Sequence, residues 1–298
     1  MKILLFGMNG QVGWELQRSL APLGELVALD FDSPGPLGAD FTRPASLAAT
    51  VRAVAPQVIV NAAAHTAVDQ AEGEPDIARA INAAAPAVLA REAVAAGAML
   101  VHYSTDYVFD GSGNQPWRED APTKPLNAYG QTKVEGEQAI RNSGCRHLIL
   151  RTSWLYSARG GNFARTMLRL ATERDKLEVI DDQVGAPTGA DLLADVTAHA
   201  LRGVFANPEL AGTYHAVAGG ATSWHGYARH VIEFARLAGR PIRVQAQDIA
   251  PVASSAFPTP AQRPLNSRLD TRKLKQAFGL TLPDWQTGVE RMLREVLA

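Results

Sequence analysis

Apolar residues follow two alternating rhythms along this chain. Short runs at Lys2–Phe6, Leu26–Asp30, Val58–Asn61, Met99–Ser104 and His147–Arg151 are nearly continuous in Val, Ile, Leu and Met, as strands buried on both faces require. Between them, Gly10–Leu20, Ala45–Ala55, Asp76–Ala96 and Ala128–Asn142 carry apolar residues at helical spacing among Ala, Leu, Glu and Arg. The Ala-rich stretch Ala78–Ala98 is helix by propensity rather than low complexity. Alternation of this kind predicts an α/β, doubly wound parallel sheet with helices on both faces. Such sheets bind ligands beyond the carboxyl ends of their strands, so the segments after Phe6, Asp30, Asn61, Ser104 and Arg151 are where chemistry is expected.

Beyond Arg151 the pattern loosens. Helices are predicted at Asn162–Thr172, Asp191–Val204 and Trp224–Leu237, with strands at Glu178–Ile180 and Thr213–Ala216 that extend the same sheet. A proline-rich stretch from Pro251 to Pro264 precedes a last helix near Trp285–Leu297. The expected division is a nucleotide-binding domain over 1–180, with strand and helix contributions from 181–220, and a smaller C-terminal substrate-binding lobe over 221–298 that also draws on 130–190. No internal repeat is present.

Composition narrows the partners. With 298 residues, 46% of them apolar, the chain can bury a large core, and its 29 Lys and Arg balance 30 Asp and Glu. No overall field favours nucleic acid or an anionic membrane, so any phosphate site must be local. The single cysteine, Cys145, excludes an internal disulfide framework and suits a reducing compartment. No signal peptide, lipid anchor or transmembrane run is legible, and a cytoplasmic location is the expectation.

Three constellations carry chemistry. Gly7-Met8-Asn9-Gly10-Gln11-Val12-Gly13 lies between the first strand and the first helix, where a tight turn, a close pyrophosphate and close helix packing each need a missing side chain. The helix that follows offers free N–H groups to phosphate. The spacing differs from the usual dinucleotide fingerprint by one inserted residue, but Asp30 ends the second strand where a carboxylate can accept from a ribose hydroxyl. In the second constellation, Tyr129-Gly-Gln-Thr-Lys133, residues four apart share a helical face and bring a Lys ammonium near a phenol. A Tyr that exchanges its proton near neutrality needs about 3 pKa units of help, roughly 4 kcal/mol, from such a charge. Third, Ser104-Thr105-Asp106-Tyr107 follows the fourth strand and puts hydroxyls at the same edge. Singly, each has a plain reading: a structural turn, an exposed Tyr–Lys pair, a polar loop. Together they point to proton transfer beside a bound dinucleotide, with Thr105 as the natural third catalytic member.

The glycine turn with Thr105, Tyr129 and Lys133 resembles the extended short-chain dehydrogenase/reductase family and its Rossmann fold. Longer words narrow the resemblance. Asn61-Ala-Ala-Ala-His-Thr-Ala-Val-Asp69, His102-Tyr-Ser-Thr-Asp-Tyr-Val-Phe109, Arg151-Thr-Ser-Trp154, Asp182-Gln-Val-Gly-Ala-Pro-Thr188 and Arg263-Pro-Leu-Asn-Ser-Arg-Leu269 are similar to dTDP-4-dehydrorhamnose reductases over essentially the whole chain. The resemblance implies reduction of the C4 ketone of dTDP-4-dehydro-L-rhamnose by NADPH or NADH, the last step toward dTDP-L-rhamnose for surface polysaccharide.

The same resemblance implies site roles. Gly10, Gln11 and Val12 would meet the pyrophosphate, Asp30 the adenosine ribose, and Asp40 with Phe41 the adenine. Ala64, His65, Thr66 and Tyr103 would line the nicotinamide half. Thr105 and Asp106 would contact the sugar, Tyr129 would give the proton, Lys133 would hold the ribose and activate Tyr129, and Trp154 would bind the rhamnose. Some members imply a homodimer joined through a divalent metal such as Mg2+, which maps to Glu15, Asp191 and Glu290; the middle residue is Asp where that contact has Glu. Two other readings share these motifs. An epimerase or dehydratase of nucleotide sugars would keep and regenerate its coenzyme, and a non-enzymatic dinucleotide-binding regulatory subunit, like that of methionine adenosyltransferase, would lack turnover.

Overall fold

The computed structural model describes residues 1–298. Its first half alternates β1 (Lys2–Phe6), α1 (Gln11–Leu20), β2 (Glu25–Leu29), α2 (Pro44–Val54), β3 (Val58–Asn61), α3 (Val68–Gly73), α4 (Pro75–Arg79), α5 (Ala85–Ala96), β4 (Met99–Thr105), α6 (Ala128–Asn142) and β5 (His147–Thr152). The second half runs β6 (Leu155–Tyr156), α7 (Phe163–Glu173), β7 (Leu177–Ile180), β8 (Val184–Gly185), β9 (Thr188–Gly189), α8 (Ala190–Ala206), β10 (Gly212–His215), β11 (Thr222–Ser223), α9 (Trp224–Leu237), β12 (Ile249–Val252), α10 (Arg272–Phe278) and α11 (Trp285–Leu297). No helix is long and apolar enough to cross a membrane.

Six strands form one parallel sheet in the order β10-β5-β4-β3-β1-β2. The doubly wound α/β sheet expected from the alternation is therefore present, and the order reverses between β1 and β3, where such sheets open a crevice. Period-two alternation sends the strands' side chains into two layers. Ile3, Leu5, Val58, Val60, Met99, Val101, Leu148 and Leu150 meet Leu16 and Leu20 of α1 and Leu193 to Val204 of α8. Leu4, Phe6, Ile59, Leu100 and Ile149 meet Leu47 and Val51 of α2, Leu89 of α5 and Ile140 of α6. Each such fully buried side chain contributes about 1.5–3 kcal/mol relative to exposure, so the sheet's rim is a rigid platform for whatever its loops carry.

A third core lies outside the sheet, where α7, α9 and α11 close over β7 and β12 through Met167, Tyr227, Val231, Ile232, Trp285 and Val289. The lobe is not continuous in sequence. Leu274 of α10, inside the stretch 221–298, packs into the sheet core with Tyr214 and Leu201. Two more expectations are refined: β7 does not extend the main sheet as β10 does but pairs with β12 in the lobe, and the single helix expected over Asp76–Ala96 is α4 and α5 joined through a five-residue π-turn, Ala80–Ala84. That turn serves the site described next.

Candidate functional site

Beyond the carboxyl edge of the sheet lie two adjoining cavities. One, of about 370 Å3, is lined by Gly7, Gly10, Asp30, Phe31, Asp40, Phe41 and Ala62 to Ala64, among others. The second, of about 550 Å3, is lined by Gly10, Gln11, Val12, Ala64, Thr66, Tyr103 to Tyr107, Tyr129, Lys133, Ser153, Trp154 and Trp224, among others. Gly10, Ala62 and Ala64 border both, at the crevice between β1 and β3. A third cavity, of about 790 Å3, lies elsewhere between β10 and α10 and is lined by none of the residues singled out above.

The three glycines of the turn do different work. Gly7 has φ +84° and a Cβ there would lie 2.7 Å from the Ala63 nitrogen, so both the turn and the contact with β3's loop demand glycine. A Cβ on Gly13 would fall 1.8 Å from the Gly7 carbonyl oxygen, so α1 can press against the turn only without one. Gly10 is different: its Cβ would meet nothing closer than the Gly7 oxygen at 3.4 Å. The protein does not need glycine there; a ligand close to the backbone would. No side chain caps α1, and the N–H groups of Gln11 and Val12 have no partner, as an anion site at a helix start requires. The cradle fits a dinucleotide pyrophosphate.

On the adenosine side, Asp30 is already committed. Its carboxylate accepts from the Asn9 N–H and the Phe31 N–H, both at 2.8 Å, tying the glycine turn to the end of β2 while still bordering the cavity. Asp40 accepts from Thr42 through N–H and hydroxyl at 2.9 and 2.6 Å. Phe41 borders the cavity but is buried edge-on against Phe6, so it is as much core as wall.

The second cavity is organised by α6. Asn127 caps it by accepting from the Gly130 N–H at 2.8 Å, and its amide donates to the Gln262 carbonyl at 2.8 Å, joining the helix start to the proline-rich segment. Two glycines seat the helix. Cβ atoms on Gly130 and Gly136 would lie 2.3 Å from the Tyr107 oxygen and 2.2 Å from the Asn82 oxygen. Asn82 belongs to the π-turn, and its side chain clamps the loop after β3, accepting from the His65 N–H at 2.9 Å and donating to the His65 carbonyl at 3.0 Å. π-turns of this kind gather at functional sites because the extra residue re-aims a side chain. The Asp69–Arg263 ion pair at 2.7 Å ties two of the longer sequence words together.

Tyr129 and Lys133 both border the cavity, but they are not joined in the way their spacing suggests. Lys133 Nζ donates to the Tyr103 carbonyl at 2.7 Å and lies 3.3 Å from His102 Nε2, and no hydrogen bond links it to the phenol. Burial pushes Tyr129 up to about 12, with the Thr105 hydroxyl opposing the rise and the Asp106 charge adding to it. The expected lowering of Tyr129 by Lys133 is therefore absent in this state, because burial outweighs a cation whose donors point elsewhere. Burial likewise brings Lys133 down to about 8, against the pull of Glu137. Thr105 donates to Asp106 Oδ1 at 3.1 Å and accepts from the Tyr107 N–H at 3.2 Å. Burial raises Asp106 to about 6 against the opposing Ser267 and Thr105 hydroxyls, and its Oδ2 makes no hydrogen bond of good geometry although Ser267 lies close by.

Among the remaining residues singled out by sequence, Ala64, Thr66 and Tyr103 line the cavity, although the Tyr103 hydroxyl bonds Thr197 at 2.7 Å. His65 lines neither cavity, and its Nδ1 is buried without a partner. Trp154 stands in the wall at φ +49°, a conformation rare for a bulky residue. Its indole stacks on that of Trp224, centroids 3.6 Å apart and planes 11° apart, with Gly185 giving room behind. Trp224 was not legible as a site residue: it opens α9 seventy positions away, and only the Arg151-Thr-Ser-Trp word hinted that an aromatic was wanted here. Tyr107, edge-on to Tyr129 at 5.5 Å, was likewise missed. Glu15, Asp191 and Glu290 do not converge within the chain. Each is paired with a different arginine, Arg18, Arg291 and Arg294, and no three acidic, His or Cys side chains could hold a metal together.

Known proteins agree with this architecture. The family described as RmlD substrate binding domain matches residues 1–298. A dTDP-4-dehydrorhamnose reductase of Shigella flexneri is 57% identical over 296 residues, 99% of this chain and 98% of that protein. Among solved structures, a dTDP-4-dehydrorhamnose reductase of Clostridium acetobutylicum is 36% identical with a TM-score of 0.89, all of each chain being covered. The Bacillus anthracis dTDP-4-dehydrorhamnose reductase, solved in complex with NADP, is 34% identical with a TM-score of 0.85 over 99% of each chain. By sequence along its whole length and by the sheet that carries its site, the chain belongs to the dTDP-4-dehydrorhamnose reductase family.

Proposed function

We propose that this chain reduces the C4 ketone of dTDP-4-dehydro-β-L-rhamnose to dTDP-β-L-rhamnose in the cytoplasm, using NADPH or NADH. One observation carries the reading: Thr105, Tyr129, Lys133 and Trp154 border a single cavity that shares Gly10 and Ala64 with the glycine-turn cavity. A dinucleotide spanning both would have its pyrophosphate at Gly10, Gln11 and Val12, its adenosine beside Asp30, Asp40 and Phe41, and its other ribose at Lys133. When bound, the coenzyme supplies the hydride.

The chain supplies the proton and the orientation. Tyr129, raised to about 12 by burial, stays protonated at neutral pH, as a group that must give a proton to the developing O4 alkoxide has to be. Thr105 turns its hydroxyl from Asp106 to O4 and holds that oxygen toward the phenol. Asp106, through Oδ2, accepts from a sugar hydroxyl. The Trp154 face packs against the apolar side of the deoxysugar, where a C5 methyl replaces a hydroxymethyl group.

Stoichiometry tests the reaction class. With substrate generated in place, absorbance at the nicotinamide band should fall by one coenzyme per sugar converted. Sugar turnover without net coenzyme oxidation would mean an epimerase or dehydratase, and no turnover with tight dinucleotide binding would mean a binding subunit.

A further inference from the structure

Three buried side chains from three elements meet behind the cavity: Asn61 at the end of β3, His102 in β4 and Lys133 in α6, each at most 2% exposed. Asn61 Oδ1 accepts from the Ala63 N–H at 3.1 Å, which orients the amide so that its Nδ2 faces His102 Nδ1 at 3.0 Å. An amide NH2 only donates, so Nδ1 must be the bare nitrogen. Neutral His102 then carries its proton on Nε2, and Nε2 faces Lys133 Nζ at 3.3 Å. An ammonium has three donors and no lone pair, whereas the amine has a lone pair that this N–H can fill. Doubly protonated imidazole would set a second N–H against the Asn61 amide, and burial, followed by the Lys133 charge, holds His102 well below its usual range.

We propose that Asn61 and His102 form a positioning pair that sets the charge of Lys133, presenting an N–H rather than a lone pair to its Nζ and so favouring the amine over the ammonium. Of the other groups near Lys133, two are engaged elsewhere and one is uncharged. Glu137, one turn along α6, favours the ammonium, but its carboxylate already takes two bonds from Arg151 at 2.8 and 2.7 Å and one from Arg141 at 2.8 Å. On β4, Tyr103 offers its carbonyl while its phenol bonds Thr197. Tyr129, one turn back, is a neutral phenol, and Asp106 acts on Tyr129. The pair therefore decides which protonation state the remaining space around Nζ accepts. The consequence for catalysis, that Lys133 sets an alkaline limit of turnover, rests on the role given to Lys133 above; the tautomer does not.

Long-range proton–nitrogen NMR of the ligand-free, 15N-labelled chain reads the tautomer directly, with the His102 signals identified by their loss in His102→Gln. The expected result at pH 7 is a neutral ring protonated at Nε2; a ring protonated at Nδ1, or at both nitrogens, overturns the pairing. Asn61→Asp then reverses the pair, because a carboxylate accepts from Nδ1–H and turns Nε2 into an acceptor. Lys133, followed by its side-chain carbon shifts, should hold its proton at least tenfold more tightly in that variant. An unmoved titration in an Asn61→Asp protein that melts like the parent overturns the proposal. If Asn61→Asp does not fold, His102→Gln must show the same upward shift through its amide oxygen, and its absence there overturns the proposal equally. A shifted Lys133 titration with an unmoved alkaline limit of turnover supports the pair and overturns instead the role given to Lys133.

Discussion

Trp154 is the residue whose two readings, pocket wall and core aromatic, the geometry resolves into parts. It borders the cavity and also leans on the lobe's core through Trp224. Removing it as Trp154→Ala forfeits a stacked pair, about 0.5–1.5 kcal/mol, rather than the roughly 3–5 kcal/mol that emptying a core Trp site costs. The melting temperature should therefore fall by only a few degrees, while the affinity for the sugar nucleotide falls at least tenfold and that for the dinucleotide stays. Thermal melting and two titrations on one sample check this. A collapse in melting temperature, or unaltered sugar-nucleotide affinity, would return Trp154 to the core. Trp154 could be singled out from its sequence word, but its partner could not, since a stack across seventy residues leaves no local periodicity. The His102 to Lys133 contact is hidden for the same reason: the word around His102 marks the strand without saying which α6 side chain crosses to it.

At the scale of elements, the glycine turn and α1 separate what the fold needs from what a ligand needs. Gly13→Ala drives a methyl into the Gly7 carbonyl, so α1 must lift from β1, and such overpacking costs about 1–3 kcal/mol or more. Gly10→Ala meets only a 3.4 Å contact. Melting should be near that of the parent, whereas NADPH binding should weaken at least tenfold because the methyl stands where the pyrophosphate approaches. Calorimetric titration beside a melting curve distinguishes the two; a Gly10→Ala protein that binds the dinucleotide normally would remove the pyrophosphate from this turn. The major strands and helices were readable to within a residue or two because a doubly buried strand has almost no freedom of composition: Ile3-Leu4-Leu5-Phe6 could be little else. The two-residue strands β6, β8, β9 and β11 were not readable, since partners such as Asn266 and Thr222 hold them rather than any pattern of their own. The π-turn was equally silent, for Ala80–Ala84 has the composition of ordinary helix.

For the whole molecule, the cleft holds two ionisable groups at a cost in stability. Asp106 is raised from 3.8 to about 6 and Lys133 is lowered from 10.5 to about 8, each chiefly by burial. The native state binds the Asp106 proton more tightly than the unfolded chain does, so this group lowers stability progressively as pH rises from about 4 to 6. Lys133 has the opposite sign at the other end: between about 8 and 10.5 the native state binds fewer protons, and its contribution to stability rises with pH. Asp106→Asn should thus raise stability at pH 7 by up to about 3 kcal/mol, a two-unit shift in free energy, with the gain vanishing below pH 4. Denaturant unfolding at the two pH values measures it, and a gain that persists at low pH would show that the ionised carboxylate is not its source. A change that stabilises the fold while weakening the hold on the sugar is what a site built against stability predicts.

The claim on which the proposed chemistry turns is that the phenol of Tyr129 gives the proton to O4, and Tyr129→Phe removes that proton while leaving the ring against Tyr107. Single-turnover reduction of the dTDP-sugar by the variant loaded with NADPH, with binding of both ligands measured on the same preparation, tests it most directly. The predicted result is dinucleotide and sugar-nucleotide affinities within about threefold of the parent and a reduction rate lower by about 10²–10⁴, the range general acid catalysis supplies. A rate near that of the parent, with both ligands bound, would contradict it and give the proton to another group.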